Sequence, residues 1–314
     1  MANNHHFLPQ MYLRRWTTSV DPPMEPFVYA YYRGQTDPKR KAPQNIGYVP
    51  GLYALNPNWV ADGDPEALEK LFSRLEGRAR SAFGFIDRHR HLQHVEHREA
   101  IAHFVAAMFL RTHKEQLAEA RRALEWVDEL VADQIEELGG LDSVRRLIER
   151  FGGGPEDTSD AGLLQFMTAV ATRVATERKY RLMRLPASCE KIAGHFLAMH
   201  FCVTLAPPLQ QFVTSDSPVL LPTMNEPPHW WRTHEVGIGQ DGAEIWFPLD
   251  PDKALLVTRK PVPLTMFLGA GQLEEINRLC MRRSLEFVIT HRRRPQIAAF
   301  VAAQCAIEQE NRGA

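Results

Sequence analysis

Cysteines and long apolar runs are scarce in this sequence, and each scarcity argues against a class of protein. The four cysteines, Cys189, Cys202, Cys280 and Cys305, show no paired short spacing, which argues against a zinc site or a disulfide framework and predicts reduced, buried thiols. No unbroken apolar run reaches the roughly 18 residues that a membrane-spanning helix needs. The first residues lack the charged-then-apolar layout of an export signal. We therefore expect a cytoplasmic protein.

Several short catalytic motifs are also absent. The sequence contains no P-loop, no His-Glu-x-x-His and no Gly-x-Ser-x-Gly, which argues against P-loop nucleotide-binding proteins, the common zinc metalloproteases and the serine hydrolases. The formal net charge of −1 gives the whole chain no attraction to nucleic acid or anionic lipid. Two short basic clusters, at 39–41 and 291–294, are expected to be solvated surface, with a phosphate-contacting patch as the alternative.

The beginning of the chain is rich in functional groups. Residues 5–16 hold two imidazoles, two guanidiniums, a phenol and an indole, together with the amide of Gln10. Pro9 predicts the first turn of a helix, with His5 and His6 in extended chain before it. Gln10 and Arg14, four residues apart, then share one face of the helix. The side chains expected to face a core are Tyr12, Leu13 and Trp16.

Apolar periodicity divides the rest of the chain into helices and short strands. Asp64-Pro65-Glu66 is typical of a helix start, and helical spacing continues to about Asp87. A second helix, kinked along its length, is expected from Val95 to Leu138 before a glycine pair. Further helices are expected over 141–151, 163–184, 272–290 and 295–308, and strands over 27–32, 45–55 (paired with 27–32), 198–205, 211–214, 244–248 and 254–258.

The predicted fold class is α+β, with a long central helical bundle and a small, mainly antiparallel sheet built from the N-terminal and C-terminal parts. We expect one domain over residues 1–314, and its predicted parts are the N-terminal motif and strands over 4–60, helices over 64–151 and 161–185, the sheet over 198–260 and C-terminal helices over 272–308. The Gly-rich segment 152–160 is the best linker. Its favoured role is to join helices of one bundle, and a domain boundary is the alternative.

Three segments resemble one known family. Residues 5–13, His-His-Phe-Leu-Pro-Gln-Met-Tyr-Leu, are similar to the HH(F/Y)(V/L)PQ-x-YL start of domain-of-unknown-function family DUF4238. Residues 212–219 resemble its F(I/V)TSD-x-PV segment, and 248–251 its PL(S/D)P element. The resemblance covers about Asn4 to Thr290; Asp250 stands where the family often has Ser, and Ser217 where Asn is common. It implies no known activity, but it indicates that the N-terminal stretch and the Thr-Ser-Asp element matter together.

The N-terminal stretch supplies the first candidate site residues. An imidazole near neutral pH serves as a metal ligand, a general base or a phosphate donor. We assign His6 and Gln10 to catalysis, and His5, Tyr12 and Arg14 to ligand binding. The amide of Gln10 and the guanidinium of Arg14 are groups that orient anionic or amide-bearing ligands. The alternative is structural, with histidines that bond buried carbonyls and so dock the N-terminus.

The Thr214-Ser215-Asp216 element is the second candidate. A strand that ends in a carboxylate flanked by hydroxyls presents an Asp for catalysis or metal binding at a sheet edge. Asp216 is assigned to catalysis, and Thr214 and Ser215 to ligand binding. The alternative is an Asx-type turn, in which these side chains bond their own backbone.

Arg111 is the third candidate and is assigned to catalysis. It follows the apolar run 104–110, so its guanidinium is expected at the rim of a helical core. There it would clamp a phosphate or carboxylate, or pair with a neighbouring acid such as Glu115. Glu76 is expected to be a surface neighbour of Arg78 or Arg80.

Two segments rich in histidine are expected to be structural. His91, His94 and His97 recur every three residues, but the segment is polar and lies between two helices, so a solvated junction is favoured over a metal site. The Pro-rich segment that contains His229, Trp230, Trp231 and His234 is expected to pack as a loop, with the cover of a pocket as the alternative.

Three hypotheses of function follow. The first is a metal-assisted, nuclease-like hydrolase of phosphodiester substrates, in which His6, Gln10, Arg111 and Asp216 converge. His6 and Asp216 would then either hold a divalent metal ion or divide the acid and base roles. The second is a non-catalytic module that binds or senses a ligand or nucleic acid through Arg14, Arg111 and the loop tryptophans. The third is a helical protein-interaction module over 95–138.

Overall fold

The computed structural model describes residues 4–18, 24–55, 64–221, 238–239 and 242–312. Helices and strands alternate irregularly along the chain, which confirms the predicted α+β class. The chain divides into two compact units, unit 1 with Met1–His113 and Pro186–Ala314 and unit 2 with Lys114–Leu185. Within the part of the chain that is described, no helix is both long and apolar enough to cross a membrane.

The bounds of the elements are as follows. The α-helices are α1 (Gln10–Leu13), α2 (Ala67–His89), α3 (Val95–Leu110), α4 (His113–Glu125), α5 (Val127–Glu137), α6 (Leu141–Phe151), α7 (Asp160–Thr176), α8 (Arg178–Leu197), α9 (Ala270–Arg283) and α10 (Pro295–Arg312). The strands are β1 (Asn4–His6), β2 (Val28–Tyr32), β3 (Lys39–Lys41), β4 (Tyr48–Pro50), β5 (His200–Leu205), β6 (Thr214–Ser215), β7 (Glu244–Asp250), β8 (Lys253–Thr258), β9 (Thr265–Phe267) and β10 (Phe287–Thr290). Short 3-10 helices span Arg14–Trp16 and Pro43–Asn45.

The described strands of unit 1 form three sheets, where the sequence predicted one. The strand orders are β1-β4, β3-β2-β10-β6 and β7-β8-β5-β9. The pairs are antiparallel as predicted, except that β5 and β9 run parallel. In the second sheet Tyr31 of β2 lies opposite Val288 of β10, so this sheet joins the two ends of the chain.

The N-terminal stretch folds as its sequence predicts. His5 and His6 lie in β1, which pairs with β4, and Pro9 directly precedes α1. The carbonyl of Pro9 accepts the backbone N–H groups of Tyr12 and Leu13 at 3.0 Å. Because proline fixes φ near the helical value and a first turn needs no donor at this position, the helix begins here.

A row of aromatic rings anchors this stretch in the core of unit 1. The side chains of Tyr12 and Trp16 are completely buried. The ring of Tyr12 stacks on Phe247 of β7 at 5.2 Å between centroids, and Phe247 in turn meets Phe104 of α3 at 6.1 Å. Phe104 contacts Phe83 of α2 edge-on at 5.5 Å. The N-terminal helical turn is therefore fixed against both helices and sheet.

Gly47 is required where the chain passes the N-terminal stretch. Its φ is +70°, and a Cβ there would lie 2.8 Å from the Cβ of Leu8, a fully buried residue. We expect Gly47→Ala to lower the free energy of unfolding by about 2–3 kcal/mol, from left-handed strain and overpacking together. Gly34 is the control: its φ is +73°, and a Cβ added there would meet no atom within 4 Å. Gly34→Ala therefore measures the cost of left-handed backbone strain without overpacking. Urea unfolding measures both variants. If Gly47→Ala and Gly34→Ala lose the same free energy of unfolding, the close contact with Leu8 adds no cost and this prediction is wrong.

Unit 2 is a group of helices. Both α5 and α6 pack on α7, and the Gly-rich segment joins α6 to α7. Ser159 caps α7 by accepting the N–H of Gly162 at 3.2 Å. Arg145 of α6 donates to the carboxylate of Asp160 at 2.7 Å and to the carbonyl of Thr158 at 3.2 Å. These contacts tie the end of the segment back to the helix that precedes it.

Four predicted elements were wrong in extent or partner. The helix expected over 95–138 is divided into α3, α4 and α5. The helix expected over 272–290 ends at Arg283, and the β-branched residues after it form β10. Pro186, expected after a helix, lies inside α8. The strand expected within 45–55 is β4, and it pairs with β1 instead of β2.

Candidate functional site

A cleft of about 720 Å³ lies in unit 1 between the N-terminal helical turns and α2. This volume is within the range of small-molecule sites. The polar side chains that line it are Gln10, Arg14 and Arg15 from the N-terminal stretch and Glu76, Arg80 and Asp87 from α2. Gln10 and Arg14, predicted to share a helix face, therefore line the same cleft.

Two of the three guanidiniums in the cleft have no anionic partner among the described residues. Arg14 and Arg80 are exposed, and the structure gives their side chains no hydrogen bond or ion pair to any part of the chain that it describes. A guanidinium presents five donors in a planar fork that matches phosphate and carboxylate oxygens. Both side chains are thus free to bind an anion that enters the cleft.

Arg15, the third guanidinium, is fully engaged within the protein. It donates to both carboxylate oxygens of Asp87, at 2.9 and 2.7 Å, and to Asp250 at 2.7 Å. It also donates to the carbonyl of Leu249 at 3.1 Å and lies over the ring of Phe83 at 4.7 Å. Partial burial opposes ionisation of Asp87. The charges of Arg15 and Lys253 outweigh this effect and hold the pKa of the Asp87 carboxyl below its ordinary value. Arg15 therefore stabilises the wall of the cleft.

Arg111 is buried, 1% exposed, and acts behind the cleft instead of in it. Its guanidinium donates to Oε1 of Glu76 at 3.0 Å and to the sulfur of Met108 at 3.2 Å. The expectation that Glu76 is a surface partner of Arg78 or Arg80 is wrong, because its partner is Arg111. The pair holds the Glu76 carboxylate, 24% exposed, at the cleft wall.

His6 lies close to this ion pair. Burial lowers the pKa of His6, and the charges of Glu76 and Arg111 act on it in opposite directions. Its Nε2 atom is buried without a hydrogen-bond partner in the described part of the protein. Of His6, Arg111 and Glu76, only Glu76 lines the cleft.

His5 takes a structural set of contacts. Its Nδ1 accepts the backbone N–H of Tyr53 at 2.7 Å, so Nε2 carries the proton and donates to Glu66 at 2.9 Å. The imidazole stacks on the ring of Tyr53 at 5.8 Å between centroids. The hydroxyl of Tyr53 donates to the carbonyl of Arg111 at 2.9 Å. His5 thus connects the N-terminal stretch to its neighbours, but through a backbone N–H and a carboxylate instead of the buried carbonyls that the structural alternative supposed.

Tyr12 and the Thr-Ser-Asp element meet in the core, as the family resemblance indicated. The Tyr12 hydroxyl lies 2.6 Å from the hydroxyl of Thr214 and donates to the carbonyl of Pro248 at 2.8 Å. Tyr12, Thr214 and Ser215 are 0% exposed. All three side chains therefore connect elements inside unit 1 and do not line the cleft.

Asp216 binds backbone. Its carboxylate accepts the N–H of Leu285 at 2.9 Å and the N–H of Glu286, which fixes the turn between α9 and β10. Burial raises the pKa of Asp216 to about 6, against the N–H groups, which favour the ionised form. The Asx-type turn expected as the alternative would bond neighbouring backbone, whereas these N–H groups belong to a distant segment of the chain.

The described residues give no support to a metal centre built from several side chains. Within the described ranges, no group of three or more His, Cys, Asp or Glu side chains is placed to hold a metal ion. The histidines at the junction of α2 and α3 instead pack around Phe85, with the rings of His91, His94 and His97 at 5.3, 4.9 and 4.6 Å from it. The loop with His229, Trp230, Trp231 and His234 lies outside the described residues.

Arg80 is the cleft residue that sequence reasoning missed as a candidate. It is exposed on α2, as are Arg74 and Arg78 of the same helix. The one signal for it was its spacing of four from Glu76, which places both side chains on one helix face.

Comparison with known proteins identifies a family and nothing finer. No curated protein matches the chain, and no solved structure matches it. One family model, described as "Protein of unknown function (DUF4238)", matches residues 4–294, nearly the whole chain. The chain therefore belongs to the DUF4238 family, whose function is unknown.

Proposed function

We propose that the protein binds a small phosphate-bearing ligand in the cleft between its N-terminal helical turns and α2. The observation that carries this proposal is the pair Arg14 and Arg80, two exposed guanidiniums that line one cleft without an anionic partner among the described residues. Gln10 adds an amide that both donates and accepts. Such a set suits a phosphate, whose oxygens accept forked hydrogen bonds from arginine.

The charges around the pair support a site for anions. Arg15 and Asp87 neutralise each other, and Arg111 neutralises Glu76. The net charge of the polar lining is therefore set by Arg14 and Arg80. Attraction between these cations and a phosphate is greater in a cleft than on an open surface, because less water screens it.

Hydrolysis of a phosphodiester in the same cleft is a second candidate, and Glu76 favours it. Arg111 binds one oxygen of this carboxylate, and the side chain, 24% exposed, lines the cleft. A carboxylate held in this way can accept a proton from a water whose oxygen bonds to phosphorus, while Arg14 and Arg80 stabilise the charge on the phosphoryl oxygens. The P–O bond to the leaving alcohol breaks, and the departing oxygen takes a proton from solvent. This proposal uses no metal ion, and the cleft gives no support to a role of Asp216 in the reaction.

The test is calorimetric titration with pyrophosphate and with adenosine 5′-monophosphate. We expect Arg14→Gln with Arg80→Gln to weaken binding about 100-fold or more, because each lost charged hydrogen bond is worth about 1.5–3 kcal/mol. Arg74→Gln is the matched control, since Arg74 is exposed on the same helix but does not line the cleft. Equal affinity in the double variant and the control would overturn the proposal.

The same proteins test hydrolysis, with bis(4-nitrophenyl) phosphate as the substrate. If Glu76 is the general base, Glu76→Gln should lower turnover by about 100-fold or more and leave phosphate affinity within a few-fold of the wild type. Binding without turnover in the wild type would retain the binding function and exclude this hydrolysis.

A further inference from the structure

The fold brings both basic clusters of the sequence to one region of the β3-β2-β10-β6 sheet. Residues 39–41 form the edge strand β3, and residues 291–294 directly follow β10, with β2 between the two strands. The carboxylate of Asp37, just before β3, accepts from Arg293 at 3.0 Å. This contact brings the second cluster beside the edge strand, although the clusters are about 250 positions apart in the sequence. Because successive side chains of a strand alternate between faces, Lys39 and Lys41 lie on the opposite face of β3 from Arg40.

Aromatic rings lie between these cations. Tyr29 of β2 is opposite Arg40 of β3 in the register, so the two side chains share a face of the sheet. The Arg40 guanidinium lies over the ring of Phe27 at 4.9 Å and near the ring of Tyr29 at 5.9 Å. The two rings meet edge-on at 5.3 Å, and both are half-buried. We call these rings, together with Lys39, Arg40, Lys41, Arg292 and Arg293, the edge patch.

The charge of the edge patch is strongly positive. Of its five cations, Arg293 has an acidic partner in Asp37. Lys39, Arg40, Lys41 and Arg292 make no ion pair with the residues that the structure describes. Basic residues on an edge strand also prevent strand pairing between molecules. Protection of the edge explains the basic residues of β3 but not the aromatic rings of Phe27 and Tyr29 beneath Arg40.

We propose that the edge patch binds single-stranded nucleic acid. The nucleic acid strand runs along the edge strand β3, where an unstacked base lies against the Arg40 guanidinium, which is itself over the ring of Phe27 and near that of Tyr29. Lys39 and Lys41, which project from the other face of this edge strand, contact the phosphates together with Arg292. A duplex keeps its base faces covered, so the stack favours a single strand. This inference concerns a site outside the cleft and does not depend on what the cleft binds.

The experiment is fluorescence anisotropy with labelled single strands of about 12 nucleotides, as RNA and as DNA of one sequence, and with the corresponding duplex. We expect the wild type to bind both single strands at least tenfold more tightly than the duplex. A clear preference for RNA over DNA would add recognition of the 2′-hydroxyl to this surface, and equal affinity would assign binding to phosphates and bases alone.

Three variants separate stacking from charge. Arg40→Gln removes the stacking plane and should weaken single-strand binding tenfold or more. Tyr29→Leu keeps an apolar side chain but removes the ring, and should also weaken binding several-fold, with an unchanged dependence on salt. Lys39→Gln with Lys41→Gln should weaken binding to every sequence and lower the slope of log affinity against log salt by about 1–2. Circular dichroism of each variant checks that it is folded.

Two controls make a failure informative. Arg74→Gln with Lys191→Gln removes two exposed cations far from the edge patch in sequence and should leave affinity unchanged. Arg14→Gln with Arg80→Gln disables the proposed phosphate cleft and should also leave it unchanged. If the cleft variant loses nucleic acid and the edge-patch variants keep it, the edge patch is not the site and the cleft is. Equal binding of duplex, single strand and heparin would reduce the interaction to charge alone and overturn the proposal.

Discussion

Arg15→Met is expected to lower the free energy of unfolding by about 3–5 kcal/mol, the largest effect that we predict for one substitution. The change keeps an apolar stem against Phe83 but removes every donor of the guanidinium. Asp250, 7% exposed, then keeps Lys253 at 2.9 Å as its cationic partner. Removing one member of a largely buried ion pair is costly because the remaining charge stays poorly solvated. Urea unfolding at neutral pH measures the loss.

A double-mutant cycle with Asp87→Asn shows how the Arg15 network divides its energy. Asp87 is 41% exposed, so water solvates it, and Asp87→Asn alone should cost about 1 kcal/mol or less. Arg15→Lys should recover part of the loss, since it restores the charge but not the bidentate geometry. A cost below about 1 kcal/mol for Arg15→Met would show that Lys253 and water already satisfy both carboxylates, and that the wall of the cleft does not need Arg15.

Asp216→Asn is expected to remove a pH-dependent loss of stability that amounts to about 3 kcal/mol in the wild type. The pKa of Asp216 is raised to about 6 in the folded protein, against an ordinary value of 3.8. The folded state thus binds this proton more tightly than the unfolded state does. The contribution is complete below about pH 4 and is lost as the pH rises through about 6. Each pH unit between these values corresponds to about 1.4 kcal/mol.

The measurement is the difference in unfolding free energy between wild type and Asp216→Asn at about pH 4, 5, 6 and 7.5. Other titrating groups are common to both proteins and cancel in this difference. The variant should gain on the wild type as the pH rises. If instead the wild type gains stability relative to the variant as the pH rises, the N–H groups of Leu285 and Glu286 lower the pKa of Asp216 more than burial raises it. Asp216→Ala should be less stable than Asp216→Asn at every pH, because both N–H groups lose their acceptor.

The elements that sequence analysis predicted well are those that local rules determine. Pro9 begins a helical turn, and the helix over 141–151 lies between glycines that have positive φ. The strand over 28–32 follows from aromatic and β-branched residues. In each case the signal and its structural consequence lie within a few residues of one another.

The errors arise where distant parts of the chain decide. β4 pairs with β1, which belongs to the N-terminal stretch. The three residues of β4 carry no signal that identifies β1 as the partner strand. β10 was hidden in a helical prediction, although Val288, Ile289 and Thr290 are all β-branched. Pro186 inside α8 is an exception to the rule that proline ends a helix.

The candidate site divides in the same way. Gln10 and Arg14 were correctly placed on one surface, because four residues separate them on a helix. Arg111 was expected at a rim and is buried behind Glu76, a relation that depends on how α2 packs against α3. Whether any of these residues acts on a ligand stays a prediction for the titrations to decide.

The pairing of β2 with β10 has a consequence for synthesis of the protein. Its partner residues are separated by about 260 positions, so the contact order of this sheet is high and its closure is slow. A ribosome that adds about 5–20 residues per second exposes β2 for tens of seconds before β10 emerges. During that time the apolar and aromatic residues of β2 lack the strand that later covers one of its edges. Chaperone binding to nascent chains should therefore concentrate on residues 28–32 and end once residues 287–290 have left the ribosome.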